Sequence, residues 1–229
     1  MAEIKRTTDK GCEQAQVPAE ARRVRGRPQL RPDAETLQIV YEASRHEFAG
    51  NGYAATSMEA VARLAGVSTK TLYRLVPNKA ALFEGMMSDR MDRFLSAFNL
   101  HADDQTEIDQ ALNTALLACA DLVLDEDVVG LQRMILQETG KFSDLAGTFY
   151  KNGIKRTAAV LAGWLRAQQA RGAILIDDAD EAAGMLIGML SSSPQRAFLF
   201  GGVAMPTRAQ IEKRARTCVR VFLDGCRPV

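Results

Sequence analysis

Thr69 and Lys70 are the types of side chain that read the edge of a base pair. A lysine ammonium reaches the acceptors of guanine, and a threonine offers a hydroxyl or touches the thymine methyl. Around them lie Ser68, Thr71, Tyr73 and Arg74, and on either side Thr56, Ser57 and Lys79. Polar groups of this kind serve the second need of nucleic-acid recognition, the phosphate contacts that position a protein on the duplex. Thr56 or Ser57 and Lys79 stand where helices would start, and helix N-termini attract phosphate through exposed amides and the dipole. They are expected to act as clamps. Arg74 is equally suited to phosphate and to solvent. Ser68 is better suited to capping than to contact.

The elements that would carry these residues are two short helices with a sharp turn between them, over TSMEAVARLAGVSTKTLYRLVPNK, residues 56–79. Thr56 or Ser57 can cap the first helix, and Glu59 has the capping-box spacing from Thr56. Val61, Ala62, Leu64 and Ala65 give that helix an apolar stripe. Gly66 supplies the turn, where the backbone needs a conformation that only glycine takes freely. Val67 plugs the corner. Ser68 opens a second helix with Leu72 and Leu75 inward and the polar set outward. Two helices crossing closely in this way form a helix-turn-helix, whose second helix enters the major groove. A preceding helix is expected from Asp33, as its cap, to about residue 50, with Leu37, Val40, Tyr41, Ser44 and Phe48 on its buried face. Tyr53 is expected to pack back onto this core.

The run EASRHEFAGNGYAATSMEAVARLAGVSTKTLYRLVPNKAALF resembles the DNA-binding domain of the TetR family of bacterial transcriptional regulators. The matching positions are Phe48, Ala49, Gly52, Tyr53, Thr56, Ser57, Ala65, Gly66, Val67, Ser68, Thr71, Leu72, Tyr73 and Lys79. The resemblance implies that Thr71 and Tyr73 face DNA, the tyrosine hydroxyl on a phosphate. It also implies a dimer that reads a pseudo-palindromic operator in double-stranded DNA. Two departures stand out: Lys70 occupies a position that is often glycine, and Leu75-Val76 replaces the usual aromatic pair.

The rest of the chain reads as all-α, with about nine helices in total. Further helices are expected near 79–101, 105–124, 128–140, 148–170, 178–200 and 207–225, with a turn over 142–147 and capping by Asp178 or Asp180 and by Thr207 with Gln210. Three domains follow: a basic arm over 1–32, the helix-turn-helix domain over 33–79, and a helical effector-binding and dimerisation domain over 80–229. Ala183, Leu186, Ile187, Leu190, Ala197, Phe198 and Phe200 cover more than one face of a helix, which calls for two partners. Gly184 and Gly188 allow a neighbouring helix to come close. The homodimer surface is therefore expected in 181–200 and 207–224, as the resemblance also implies. The resemblance further implies a small-molecule pocket among the middle helices. Phe94, Met134, Phe149, Tyr150, Trp164 and Met189 are its candidates, and the low polarity suggests an apolar effector.

Charge is distributed unevenly. Residues 1–79 carry 13 Lys and Arg against 9 Asp and Glu, and residues 80–229 carry 16 against 19. A basic front suits a polyanionic partner. Residues 1–20 read as disordered. Residues 21–32 hold five arginines and no acid. Within them Arg25-Gly26-Arg27-Pro28 resembles the core of an AT-hook, in which flanking guanidiniums seek the negative potential of a narrow minor groove. A solvated basic tail is the alternative. The four cysteines and two histidines lack metal-ligand spacing. There is no catalytic constellation, no phosphate loop and no cofactor motif, so neither an enzyme nor a cofactor is expected. No secretory signal and no membrane span are read, which points to the bacterial cytoplasm. Two functions remain: a repressor released from its operator by a small molecule, or an architectural or activating DNA-binding protein without a ligand. Deleting residues 1–31 is expected to lower DNA affinity and flatten its salt dependence. An unchanged slope of log affinity against log salt would show that the arm does not touch DNA.

Overall fold

The computed structural model describes residues 31–100, 107–138 and 143–226. The chain divides into two compact units, 1–31 and 32–229, and the second is described below. The expected disorder over 1–20 and the arm residues Arg25 and Arg27 lie outside the described residues.

The fold is all-helical. Helices α1 (Asp33–Asn51), α2 (Met58–Leu64), α3 (Thr69–Leu75) and α4 (Lys79–Leu100) form the N-terminal part. They are followed by α5 (Ile108–Val123), α6 (Glu126–Glu138) and α7 (Ser143–Phe149). The last runs through a π-helical segment, Tyr150–Lys155, directly into α8 (Arg156–Ala170). Helices α9 (Ala179–Gly201) and α10 (Arg208–Cys226) complete the chain. Counting that run from α7 to α8 as one rod, the described residues make nine.

Helix α1 buries Thr36, Val40, Ala43, Ser44 and Phe48 at helical spacing. It starts at Asp33 with Pro32 as its N-cap, and no side chain bonds the cap. The expectation that Asp33 caps the helix is thus corrected: its carboxylate is held by Arg74. Helix α1 stops at Gly52, whose φ is +84°. Ser57 caps α2, accepting from the Ala60 amide at 3.0 Å. The Thr56–Glu59 capping box does not form, because the Thr56 hydroxyl donates to the Glu47 and Gly52 carbonyls. Gly66 takes φ +66° at the corner, as the turn requires. Leu72 is fully buried beneath it, but Leu64, expected inward, is exposed. A seven-residue helix buries only one narrow face, and Leu64 lies off it.

The N-terminal core centres on three rings. Phe48 stacks on Tyr53 with centroids 5.5 Å apart, and Phe83 meets both edge-on. This core does not stop at α4. Leu131, Met134 and Ile135 of α6, with Leu145 and Phe149 of α7, belong to the same buried cluster. Gly130 lets α6 lie flat on α1: a Cβ there would sit 3.1 Å from the Ala49 Cβ. The expected turn over 142–147 is corrected to helix from Ser143 onward. Burying Leu145 and Phe149 one turn apart on the α6 face outweighs the helix penalty of Gly147.

A second cluster fills the C-terminal half. It joins Met91, Phe94 and Phe98 of α4 to buried residues of α5, α8, α9 and α10. Helix α4 therefore threads both cores. The expected caps of the last two helices are present: Asp178 accepts from the Asp180 and Glu181 amides, and Gln210 accepts from the Thr207 amide at 2.8 Å. Among the described residues no helix is long and apolar enough to cross a membrane.

Candidate DNA interface and effector cavity

Helix α3 is held by its own N-cap. Ser68 Oγ accepts from the Thr71 amide at 3.0 Å and lies 2.8 Å from Thr71 Oγ1. These hydroxyls fix the first turn. Thr69 is half-buried, Lys70 is exposed, and Tyr73 is 47% exposed at the solvent side of the helix. Lys70 and Tyr73 are one turn apart on the same face. The structure therefore brings together the expected base reader and the expected phosphate contact.

Three other expected contacts are engaged inside the domain. Arg74 makes a two-pronged ion pair with Asp33, at 2.7 and 2.8 Å. This bond raises the Arg74 pKa above its ordinary value. Thr56 is buried, and its hydroxyl joins the end of α1 to the start of α2. Lys79 turns inward. Its Nζ donates to the Tyr53 carbonyl at 2.6 Å and the Thr56 carbonyl at 2.8 Å, and lies 4.5 Å from the Tyr53 ring centroid. A phosphate would have to draw Lys79 away from those carbonyls. Ser57 remains exposed at the start of α2.

A cavity of about 290 Å³ lies among α4, α5, α6, the π-helical segment, α8 and α9. Its wall is mostly apolar, with Met91, Leu122, Val128 and Ile187. Of the six expected ligand residues, Phe149 lines it. Phe94 lines a second, more open groove between α4, α5 and the start of α10. The other four line neither space. Met134 is buried in the N-terminal core. Tyr150 is 53% exposed beside Lys155. Trp164 and Met189 pack against the C-terminal core. Sequence reasoning missed Arg90, Gln132, Thr157, Ser191, Ser192 and Gln195, which supply the polar part of the wall. It also missed that Gly153, Gly184 and Gly188 help to leave the space open. One signal was available: the run Ser191-Ser192-Ser193 ends the uncharged apolar stretch 182–190. No nucleophile is poised here. Cys119, Cys218 and Cys226 are buried and not in disulfides, and burial pushes the Cys119 thiol up to about 12.

Two family models match separate stretches of the chain. Residues 40–86 match the family model described as bacterial regulatory proteins, tetR family. Residues 110–225 match the model described as AefR-like transcriptional repressor, C-terminal domain. A TetR-family regulator structure from Mesorhizobium loti MAFF303099 aligns at 26% identity and a TM-score of 0.73, covering 86% of this chain and 100% of that one. The flavonoid-responsive regulator FrrA aligns at 27% identity and a TM-score of 0.62, covering 85% and 98%. FadR from Bacillus subtilis, solved with stearoyl-CoA, shares the fold at 16% identity and a TM-score of 0.66, covering 82% and 98%. No curated protein matches the chain closely enough to count as a relative.

The Lys79 geometry sets an expectation for stability. Lys79→Met keeps the aliphatic stem but removes the ammonium from the Tyr53, Ala54 and Thr56 carbonyls, at a cost of about 1–3 kcal/mol. Thermal unfolding should then show a midpoint lower by several degrees. A wild-type midpoint would show that the ammonium contributes nothing to the fold.

Proposed function

Because the chain belongs to the TetR family of bacterial transcriptional regulators, we propose that it is a homodimeric repressor which grips a pseudo-palindromic operator and releases it when a small apolar effector fills the inner cavity. The observation that carries this reading is the placement of that cavity. Its walls include α4 and α6, and both helices also build the core behind the reading helix. An effector that favours the non-binding arrangement of those helices weakens operator binding, and DNA weakens effector binding by the same factor. The cavity counts against the ligand-free alternative.

Lys70 and Thr69 are assigned to base edges, Tyr73 and Thr71 to phosphates, and Ser57 to the phosphate at the α2 N-terminus. Arg25 and Arg27 are assigned to the adjacent minor groove. The dimer forms through α9 and α10. Met185, Phe200 and Val221 are each more than half exposed there. The protein would act in the bacterial cytoplasm, where the operator is.

Size narrows the effector. At about 290 Å³ the cavity lies at the small end of ligand sites, which run to about 1,000 Å³. It suits a compact ring system, like the flavonoids to which FrrA responds, better than a whole acyl-CoA such as the one bound to FadR.

Selection from a random duplex pool at near-physiological salt tests the reading. The enriched site should be a pseudo-palindrome with equivalent half-sites. Lys70→Ala should relax one base position in each half-site, by about 1–3 kcal/mol of discrimination, whereas Tyr73→Phe should weaken all sequences alike. No enriched palindrome would exclude the dimeric operator. An intact profile in Lys70→Ala would exclude Lys70 as a base reader.

A further inference from the structure

Arg90 is the one charged residue lining the inner cavity among the described residues. It also lines the outer groove, together with Arg93 and Arg208. With Leu122 it forms the wall that the two spaces share. We propose that Arg90 is the ligand-reading residue of the cavity and that it selects an apolar carboxylic acid, the hydrocarbon body lying inside and the carboxylate on the guanidinium. This proposal rests on the effector reading above and names the chemical class it requires.

Of the five other polar side chains of the wall, three donate to backbone carbonyls, and Gln132 and Ser192 complete the set without charge. Thr157 donates to the Gly153 carbonyl at 2.9 Å, Ser191 to the Ile187 carbonyl at 2.8 Å, and Gln195 to the Val123 carbonyl at 2.8 Å. Arg90 is not fully matched. One Nη lies 3.1 Å from Asp125 Oδ2, and the side chain is 16% exposed. Its Nε is buried without a partner. A buried guanidinium has five donors and no way to shed its charge. Burial, the largest cause, lowers the Arg90 pKa; Asp125 opposes that, and Arg45 and Arg93 add to it. A single carboxylate therefore leaves the charge undercompensated. A second one, taken in the forked geometry that guanidinium offers, supplies what is missing once the side chain turns toward it.

The same contact has a route to the reading head. Asp125 caps α6 through its other oxygen, accepting from the Asp127 and Val128 amides at 3.1 Å each. Asp127 in turn lies 2.9 Å from Arg45 Nε on α1. A ligand carboxylate that shares Arg90 with Asp125 thus acts on the start of the helix packed against α1.

Calorimetric titration of the full chain with 2-naphthoate and its neutral counterpart 2-naphthamide tests the proposal. Wild type should bind the carboxylate about tenfold more tightly or better, the size of one charge-assisted hydrogen bond. Arg90→Gln should abolish that preference while retaining the amide's affinity. Arg90→Lys, which keeps the charge but loses the fork, should cut the preference several-fold and serves if the glutamine variant does not fold. Equal affinities in wild type, or a preference undiminished in whichever variant folds, would overturn the role of Arg90 and leave the effector cavity standing. Binding of neither compound at millimolar concentration would overturn both.

Discussion

The Lys79 ammonium closes the N-terminal domain at the point where three chain segments meet. It bonds carbonyls of the loop between α1 and α2 from the first residue of α4, while its charge rests on the Tyr53 ring. Tyr53 is itself packed against Phe48 and Phe83. Loop carbonyls outside a helix need a donor when they are drawn against a core. A lysine supplies up to three donors from a single side chain. With the loop fixed, Ser57 begins α2, Gly66 turns the chain, and α3 is delivered with Lys70 and Tyr73 outward.

The same core also explains how a remote cavity can matter to the reading helix. Phe83 and Met86 of α4 share one buried cluster with Leu131 of α6 and Phe149 of α7. Phe149 lines the cavity as well. Packed interiors do not deform smoothly, so under the proposed mechanism a change in the cavity wall would be passed on as a shift of whole helices. Gly130 sharpens this link, since α6 and α1 approach there with no side chain on the α6 side.

What could be read from the sequence was local. The caps at Ser57, Ser68, Asp178 and Thr207, and the positive φ at Gly66, depend on residues within a few positions of one another. What could not be read joins distant positions. Arg74 meets Asp33 across 41 residues, and Lys79 reaches Tyr53 across 26. These partners turn two expected DNA contacts into braces of the domain itself, Arg74 at its surface and Lys79 half-buried. The start of α7 was hidden for a similar reason, because Leu145 is buried only when α6 is beside it. The cavity was the hardest to foresee. Large apolar side chains were the natural candidates, yet most of those fill core. A space is marked instead by what is small, such as Gly153, Gly184 and Ser191, and by the one arginine left beside it.

The central claim is that the reading head and the cavity wall form one cooperative unit braced by Lys79. Native-state hydrogen exchange of Lys79→Met against wild type tests this most directly. Faster exchange by a common factor is expected in α2 and α3 and in the buried stretch of α6 from Val128 to Ile135. Acceleration confined to α1, α2 and α3, with α6 unchanged, would contradict it.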